Sequence, residues 1–146
     1  MLVESLLPAA RRRLMTITDD APLLEAARLL GTGIDLIVVC DRSSHVAGIV
    51  TKTDVVVKVG RSPDVAYVAP LSAVMTRDVV FCRPQDSTDD VWSKMRSLEL
   101  KNIPVVDGEF SPLGLLVARD VLQALLREAG HDGTLLRDYV MCVGYH

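Results

Sequence analysis

The strongest constraint on this chain is that it carries one pattern twice. Ile37-Val38-Val39-Cys40-Asp41, then Gly48-Ile49-Val50-Thr51-Lys52-Thr53-Asp54-Val55, returns as Ile103-Pro104-Val105-Val106-Asp107, then Gly114-Leu115-Leu116-Val117-Ala118-Arg119-Asp120-Val121. Upstream, Thr16-Ile17-Thr18-Asp19-Asp20-Ala21-Pro22-Leu23 answers Phe81-Cys82-Arg83-Pro84-Gln85-Asp86-Ser87-Thr88. The repeats therefore span 14–60 and 79–128, with a connector at 61–78 and a C-terminal extension at 129–146. A unit of this size buries its apolar face poorly alone and gains a core by packing on its copy. Two lobes related by a pseudo-twofold axis are expected.

Apolar residues make up 49% of the 146, enough for a sizeable core. The net charge of −3, with Arg11-Arg12-Arg13 as the one basic run, argues against a nucleic-acid partner. No apolar stretch approaches the roughly 20 residues of a membrane-spanning helix. The N-terminus lacks the charged start and continuous apolar stretch of an export signal, so a soluble, cytoplasmic protein is expected. Cys40, Cys82 and Cys142 form no Cys-x-x-Cys pair, and His45, His131 and His146 lack metal-ligand spacing. No metal site is expected.

Within each repeat the periodicity predicts β-α-β-β-α, an α+β fold. The first helix is expected to be N-capped by Asp20 with Pro22 in its first turn in one copy, and N-capped by Ser87 with Asp90 in its first turn in the other. Its buried stripes are predicted as Leu23, Ala27, Leu30 and as Val91, Met95, Leu98. Strands follow at Leu36 to Cys40 with Ala47 to Val50, and at Ile103 to Val106 with Leu113 to Val117, each pair joined by a turn opening on aspartate. The closing helices begin near Thr53-Asp54 and at Asp120, the latter burying Val121, Leu122, Leu125 and Leu126. Leu135 to Met141 forms a short amphipathic segment outside both repeats.

Most nucleotide fingerprints are absent. Gly31-Thr32-Gly33 follows a helix and lacks the third glycine of a dinucleotide loop, so it reads as a helix C-cap. Neither a P-loop nor a Gly-x-Ser-x-Gly elbow occurs. What remains is Gly48 to Asp54 at a strand-to-helix junction. Gly48 admits close approach to the backbone, Thr51 offers a hydroxyl, Asp54 can accept two hydrogen bonds from a vicinal diol, and the helix start favours an anion. A ribose phosphate would satisfy all four; so, from the residues alone, would ordinary helix N-capping by Thr51 or Thr53 with Asp54.

Two copies of β-α-β-β-α, each with a Gly-hydrophobic-x-Thr/Ser-x-x-Asp junction or a variant of it, and Val74-Met75-Thr76-Arg77-Asp78-Val79 between them, resemble the tandem cystathionine β-synthase (CBS) domain pair, or Bateman module. The resemblance covers residues 14–128. It implies a regulatory module with a central cleft for adenosine-containing ligands such as AMP, ATP, NAD or S-adenosylmethionine. It places Thr51 and Asp54 on the ribose and phosphate, Gly48 and Ile34 at the base, and Thr76 and Arg77 against the same ligand. A nucleotide joining Asp54 to Arg77 would then favour one placement of the lobes. In the second copy Val117 replaces the hydroxyl residue; Asp120 and Gly114, with Arg13 and Thr16, imply a weaker second site.

The resemblance further implies a homodimer and an effector protein acting in trans. A purely structural dimerisation module without a nucleotide is the competing expectation, favoured by Val117. Catalysis is not expected, since nothing supplies a nucleophile, a base and an orienting third group together.

Overall fold

The computed structural model describes residues 1–130, so the predicted segment Leu135 to Met141, together with His131, Cys142 and His146, lies outside the described residues. In order, the chain forms α1 (Leu7–Arg13), β1 (Thr16–Thr18), α2 (Leu23–Leu30), β2 (Leu36–Cys40), β3 (Val46–Thr51), α3 (Lys52–Arg61), α4 (Thr88–Ser97), β4 (Asn102–Val106), β5 (Pro112–Val117) and α5 (Ala118–Glu128). The fold is α+β, and the first repeat shows β-α-β-β-α in full.

The chain packs as two units that do not follow the order of the repeats. Residues 14–80 with 106–112 form one; residues 1–13, 81–105 and 113–130 form the other.

In the unit holding the first repeat, β2 lies between β1, parallel to it, and β3, antiparallel. A central strand has neighbours on both edges and here is covered on both faces, which is why Leu36-Ile37-Val38-Val39-Cys40 is apolar without alternation and entirely buried. Leu23, Ala26 and Leu30 of α2 pack with Ile17, Ile37, Val39 and Val50 into the core. Leu71 and Met75 join them from the segment after α3. That segment is held along its length: Leu23 N–H donates to Ala69 O (2.8 Å), Leu71 N–H to Ala21 O (2.9 Å) and Ser72 N–H to Asp19 O (2.9 Å). Thr76 then pairs with Ile49 in both directions. The fully buried Leu71 alone contributes roughly 1.5–3 kcal/mol by removal from water.

The other unit uses the N-terminal residues in the corresponding way. Val3 N–H donates to Asp86 O (2.9 Å) and Glu4 N–H to Pro84 O (2.8 Å), while the backbone N–H and the hydroxyl of Thr88 both donate to Met1 O at 3.1 Å. Those bonds explain how Thr88, the one buried polar side chain among the described residues, is tolerated. Val3 and Ala10 are buried with Val91, Met95, Ile103, Leu116 and Val121.

Four sequence expectations are corrected. The opening strand of the second repeat shrinks to one parallel bridge, Cys82 with Val105. Cys82 N–H donates to Pro104 O (3.1 Å), and Pro104 has no N–H with which to continue the ladder. Asp20 does not cap α2; Pro22 stands at that position, and the Ala69 carbonyl meets the first helical N–H instead. Leu98 is not core: α4 ends at Ser97, Glu99 turns the chain at φ 55°, and Leu98 is 53% exposed. Leu125 and Leu126 are only half-buried, and Ala124 takes the inward position beside Val121. Ser87 caps α4 as expected, its hydroxyl accepting from Asp89 N–H at 3.2 Å. Gly31 ends α2, while the glycine needing positive φ is Gly33, at 98°.

Candidate nucleotide junction and its repeat

β3 delivers Thr51 to the point where α3 begins, and the backbone stays extended there at φ −117°, ψ 171°. Four N–H groups at a helix start lack intrahelical partners, and Thr51 with Asp54 satisfies two of them reciprocally. Asp54 N–H donates to Thr51 Oγ1 (3.4 Å), and Thr51 N–H donates to Asp54 Oδ2 (2.9 Å). The Thr51 hydroxyl donates to the same Oδ2 at 3.1 Å. Thr76 approaches from the segment bridged to Ile49 and donates its hydroxyl to Asp54 Oδ1 at 2.9 Å. Both carboxylate oxygens are thus oriented by hydroxyl or backbone donors, and among the described residues no cation pairs with either.

Gly48, on β3, is buried, and a Cβ there would stand 2.6 Å from Thr76 O and 3.0 Å from Met75 Sδ. Its missing side chain is what lets the Met75–Thr76 backbone lie against β3. Ile34 is half-buried against the core of the same unit. Arg77 Nη2 donates to Ser72 O at 3.0 Å and so points along its own segment. Thr51, Asp54, Gly48, Ile34, Thr76 and Arg77 all belong to one packing unit. A ligand joining Asp54 to Arg77 would therefore act within that unit and would not tether one lobe to the other, which corrects the expected coupling.

At the second junction Val117 occupies the cap position and provides no side-chain hydrogen bond. Asp120 is engaged by Arg13, whose Nε donates to Oδ2 at 2.6 Å and Nη2 to Oδ1 at 3.2 Å. Gly114 repeats the role of Gly48: its Cβ would stand 2.7 Å from the Ala10 Cβ. Thr16 stands on β1, in register with Val38, in the other packing unit.

The remaining chemistry is sparse. Cys40 and Cys82 are free thiols, both buried. Burial, and secondarily the Asp41 charge, raises the Cys40 pKa; burial, then Asp86, with Lys94 opposing, pushes Cys82 up to about 12. Both stay protonated at neutral pH and are poor nucleophiles. Among the described residues there is no group of His, Cys, Asp and Glu that could hold a metal ion, and no helix long and apolar enough to cross a membrane.

The CBS domain model matches residues 3–61 and 71–127. The chain belongs to the CBS domain family. As a CBS domain pair it is a regulatory module. A CBS-domain protein of Agrobacterium tumefaciens has a similar structure, at 29% identity and a TM-score of 0.70, over 85% of this chain and 92% of that one. The CBS domain pair of protein MJ0100, solved with 5′-methylthioadenosine and S-adenosylmethionine, shares the fold at 22% identity and a TM-score of 0.69, over 88% and 98% of the two chains. An Arabidopsis thaliana CBS domain-containing protein is 29% identical over 115 residues, 77% of this chain and 21% of its own. A Methanocaldococcus jannaschii protein is 24% identical over 112 residues, 76% of this chain. The chain spans 26% of that relative's length, so both curated relatives are several times longer.

Proposed function

We propose that this CBS pair senses an adenosine-containing nucleotide at the Thr51–Asp54 junction and passes the state of that site to a separate effector protein, without catalysis. The observation that carries the reading is the Asp54 carboxylate, held at the start of α3 by the Thr51 cap beside the first N–H groups of the helix. A ribose diol offers two hydroxyl donors to such a carboxylate, and a phosphate is favoured near the exposed N–H groups of the helix. The adenosine ligands of the MJ0100 pair support the ligand class. AMP, ATP, NAD and S-adenosylmethionine are the candidates. Ile34 would border the base, Gly48 would act indirectly by seating the Met75–Thr76 backbone against β3, and Thr76 and Arg77 would border the sugar and phosphate.

The module acts in the cytoplasm as a homodimer on this reading. The buried free thiols suit a reducing compartment. The exposed Val56, Val57 and Val59 of α3 supply an apolar face for a second copy. A structural dimerisation module is the second reading, and a specific observation favours it: both Asp54 oxygens already accept from protein donors.

A thermal-shift series with AMP, ADP, ATP, NAD, NADH and S-adenosylmethionine separates the two. A ligand at a hundred times its Kd stabilises by about 2.7 kcal/mol, which is readily visible in Tm. The first reading expects a shift with at least one nucleotide that disappears in Asp54→Asn, a change that preserves the shape of the cap. Indifference to all six supports the structural module.

A further inference from the structure

The Asp54 carboxylate is partly occupied by its own chain. A carboxylate offers about four acceptor positions, two on each oxygen. Oδ2 accepts from the Thr51 N–H (2.9 Å) and the Thr51 hydroxyl (3.1 Å), and Oδ1 accepts from the Thr76 hydroxyl (2.9 Å). Among the described residues no other donor reaches it, so one acceptor position remains, on Oδ1. The three donors are not equally held. Those of Thr51 belong to the cap, and breaking them would undo the reciprocal closure of the first turn of α3. Thr76 is exposed and is fixed through its backbone, whose N–H donates to Ile49 O (2.8 Å) and whose carbonyl accepts from Ile49 N–H (2.9 Å). Its hydroxyl can therefore leave Asp54 by rotation about χ1, into water, with the segment undisturbed.

Granted a nucleotide at the Thr51–Asp54 junction, the reading on which this rests, we infer that Thr76 is an internal competitor for the sugar and sets the discrimination between ribose and deoxyribose. A vicinal diol brings two hydroxyl donors and needs both acceptor positions on Oδ1, so it has to displace the Thr76 hydroxyl. The exchange gains one hydrogen bond. A 2′-deoxy sugar brings a single hydroxyl, takes the remaining position beside Thr76, and also gains one. With Thr76 in place the two sugars are bound nearly alike; without its hydroxyl the diol gains a second bond and the deoxy sugar does not. Because Thr76 is exposed, its displaced hydroxyl pairs with water, and the competition is worth one net hydrogen bond, about three- to tenfold in affinity. The same contact that occupies Oδ1 in this structure thus becomes the element that tunes the site.

The test is titration calorimetry of the whole chain with AMP, ATP, NAD and S-adenosylmethionine, each beside its 2′-deoxyadenosine counterpart, on wild type, Thr76→Val, Thr76→Ser and Asp54→Asn. Wild type is expected to bind the ribose and deoxyribose forms within about threefold of each other. Thr76→Val keeps the shape of threonine and the backbone pair with Ile49, so it should fold, with wild-type circular dichroism. It is expected to bind the ribose form about three- to tenfold tighter than wild type does, and to prefer it over the deoxy form by a similar factor. Thr76→Ser restores the hydroxyl and should match wild type, and Asp54→Asn should abolish the preference together with most of the binding. Binding by Thr76→Val alone would support the competition as well. If binding is lost in Asp54→Asn, yet Thr76→Val shows the wild-type ratio of ribose to deoxyribose or binds more weakly, the competition is overturned and the nucleotide reading stands. Thr76→Ser behaving like Thr76→Val would overturn it too, because the hydroxyl would then not be the cause. No binding by either wild type or Thr76→Val, or binding untouched by Asp54→Asn, would overturn the nucleotide reading and the competition with it.

Discussion

Gly48 and Gly114 hold equivalent places in the two repeats, and each is pressed against a backbone or methyl group at a distance no Cβ tolerates. Gly48→Ala has to push back the Thr76 carbonyl, and Gly114→Ala the body of α1 at Ala10. Each is expected to cost about 1–3 kcal/mol in urea unfolding. The repeated glycine was visible in the sequence, but what fills the space over it was not, because Met75 and Ala10 are not its chain neighbours. Thr51 with Asp54 shows the same limit. Their spacing announced a cap and permitted a ribose site, while the third contact, from Thr76, depends on the Ile49–Thr76 bridge. Cys82 gives a pH prediction with a definite sign. Folding raises its pKa from 9.0 to about 12, so the native state keeps a proton that the unfolded chain releases. Its contribution is complete below about pH 9 and is lost as pH rises from there towards 12. Urea midpoints at pH 8 and pH 10 should fall more steeply for wild type than for Cys82→Ala.

The two hairpin turns repeat each other hydrogen bond for hydrogen bond. Asp41 Oδ1 accepts from Ser43 and His45 N–H, and Asp107 Oδ1 from Glu109 and Ser111 N–H, all within 2.9–3.0 Å. Ser44 and Phe110 then take positive φ at 63° and 65°. An aspartate opening a turn was legible because its short side chain can replace the missing backbone partners. Asp41→Ala is expected to cost about 1–2 kcal/mol, read from the urea midpoint. Helix ends were less legible. In α4 the apolar spacing ran through Leu98, but the helix stops first, so Met95→Ala should cost about 2–4 kcal/mol and Leu98→Ala under about 0.5 kcal/mol in the same assay. Periodicity records which positions would share a face if the helix continued; where it ends was decided by Glu99 turning out of the helix.

Across the molecule, the two closing helices differ in what they bury. α5 places Val121, Leu122 and Ala124 in its core, whereas α3 buries no residue and exposes Val56, Val57 and Val59. If α3 is the homodimer face, Val56→Glu/Val59→Glu should lower the mass measured by light scattering to that of one chain while leaving Tm at low protein concentration nearly unchanged. An unchanged mass would move the interface elsewhere.

The sequence by itself determined the two repeats, the hairpin in each, the apolar centre of β2 and the chemistry available at Thr51 and Asp54. All of these rest on local spacing, where one residue's neighbours are fixed by the period of its own helix or strand. Tertiary structure alone decided which unit each flanking segment completes. Residues 71–76 finish the core around the first repeat, and residues 1–10 finish the core around the second. It also decided that Arg13 takes Asp120. These pairings join positions far apart in the chain, and they follow from which buried surfaces and unpaired backbone groups remained to be satisfied once the repeats had formed.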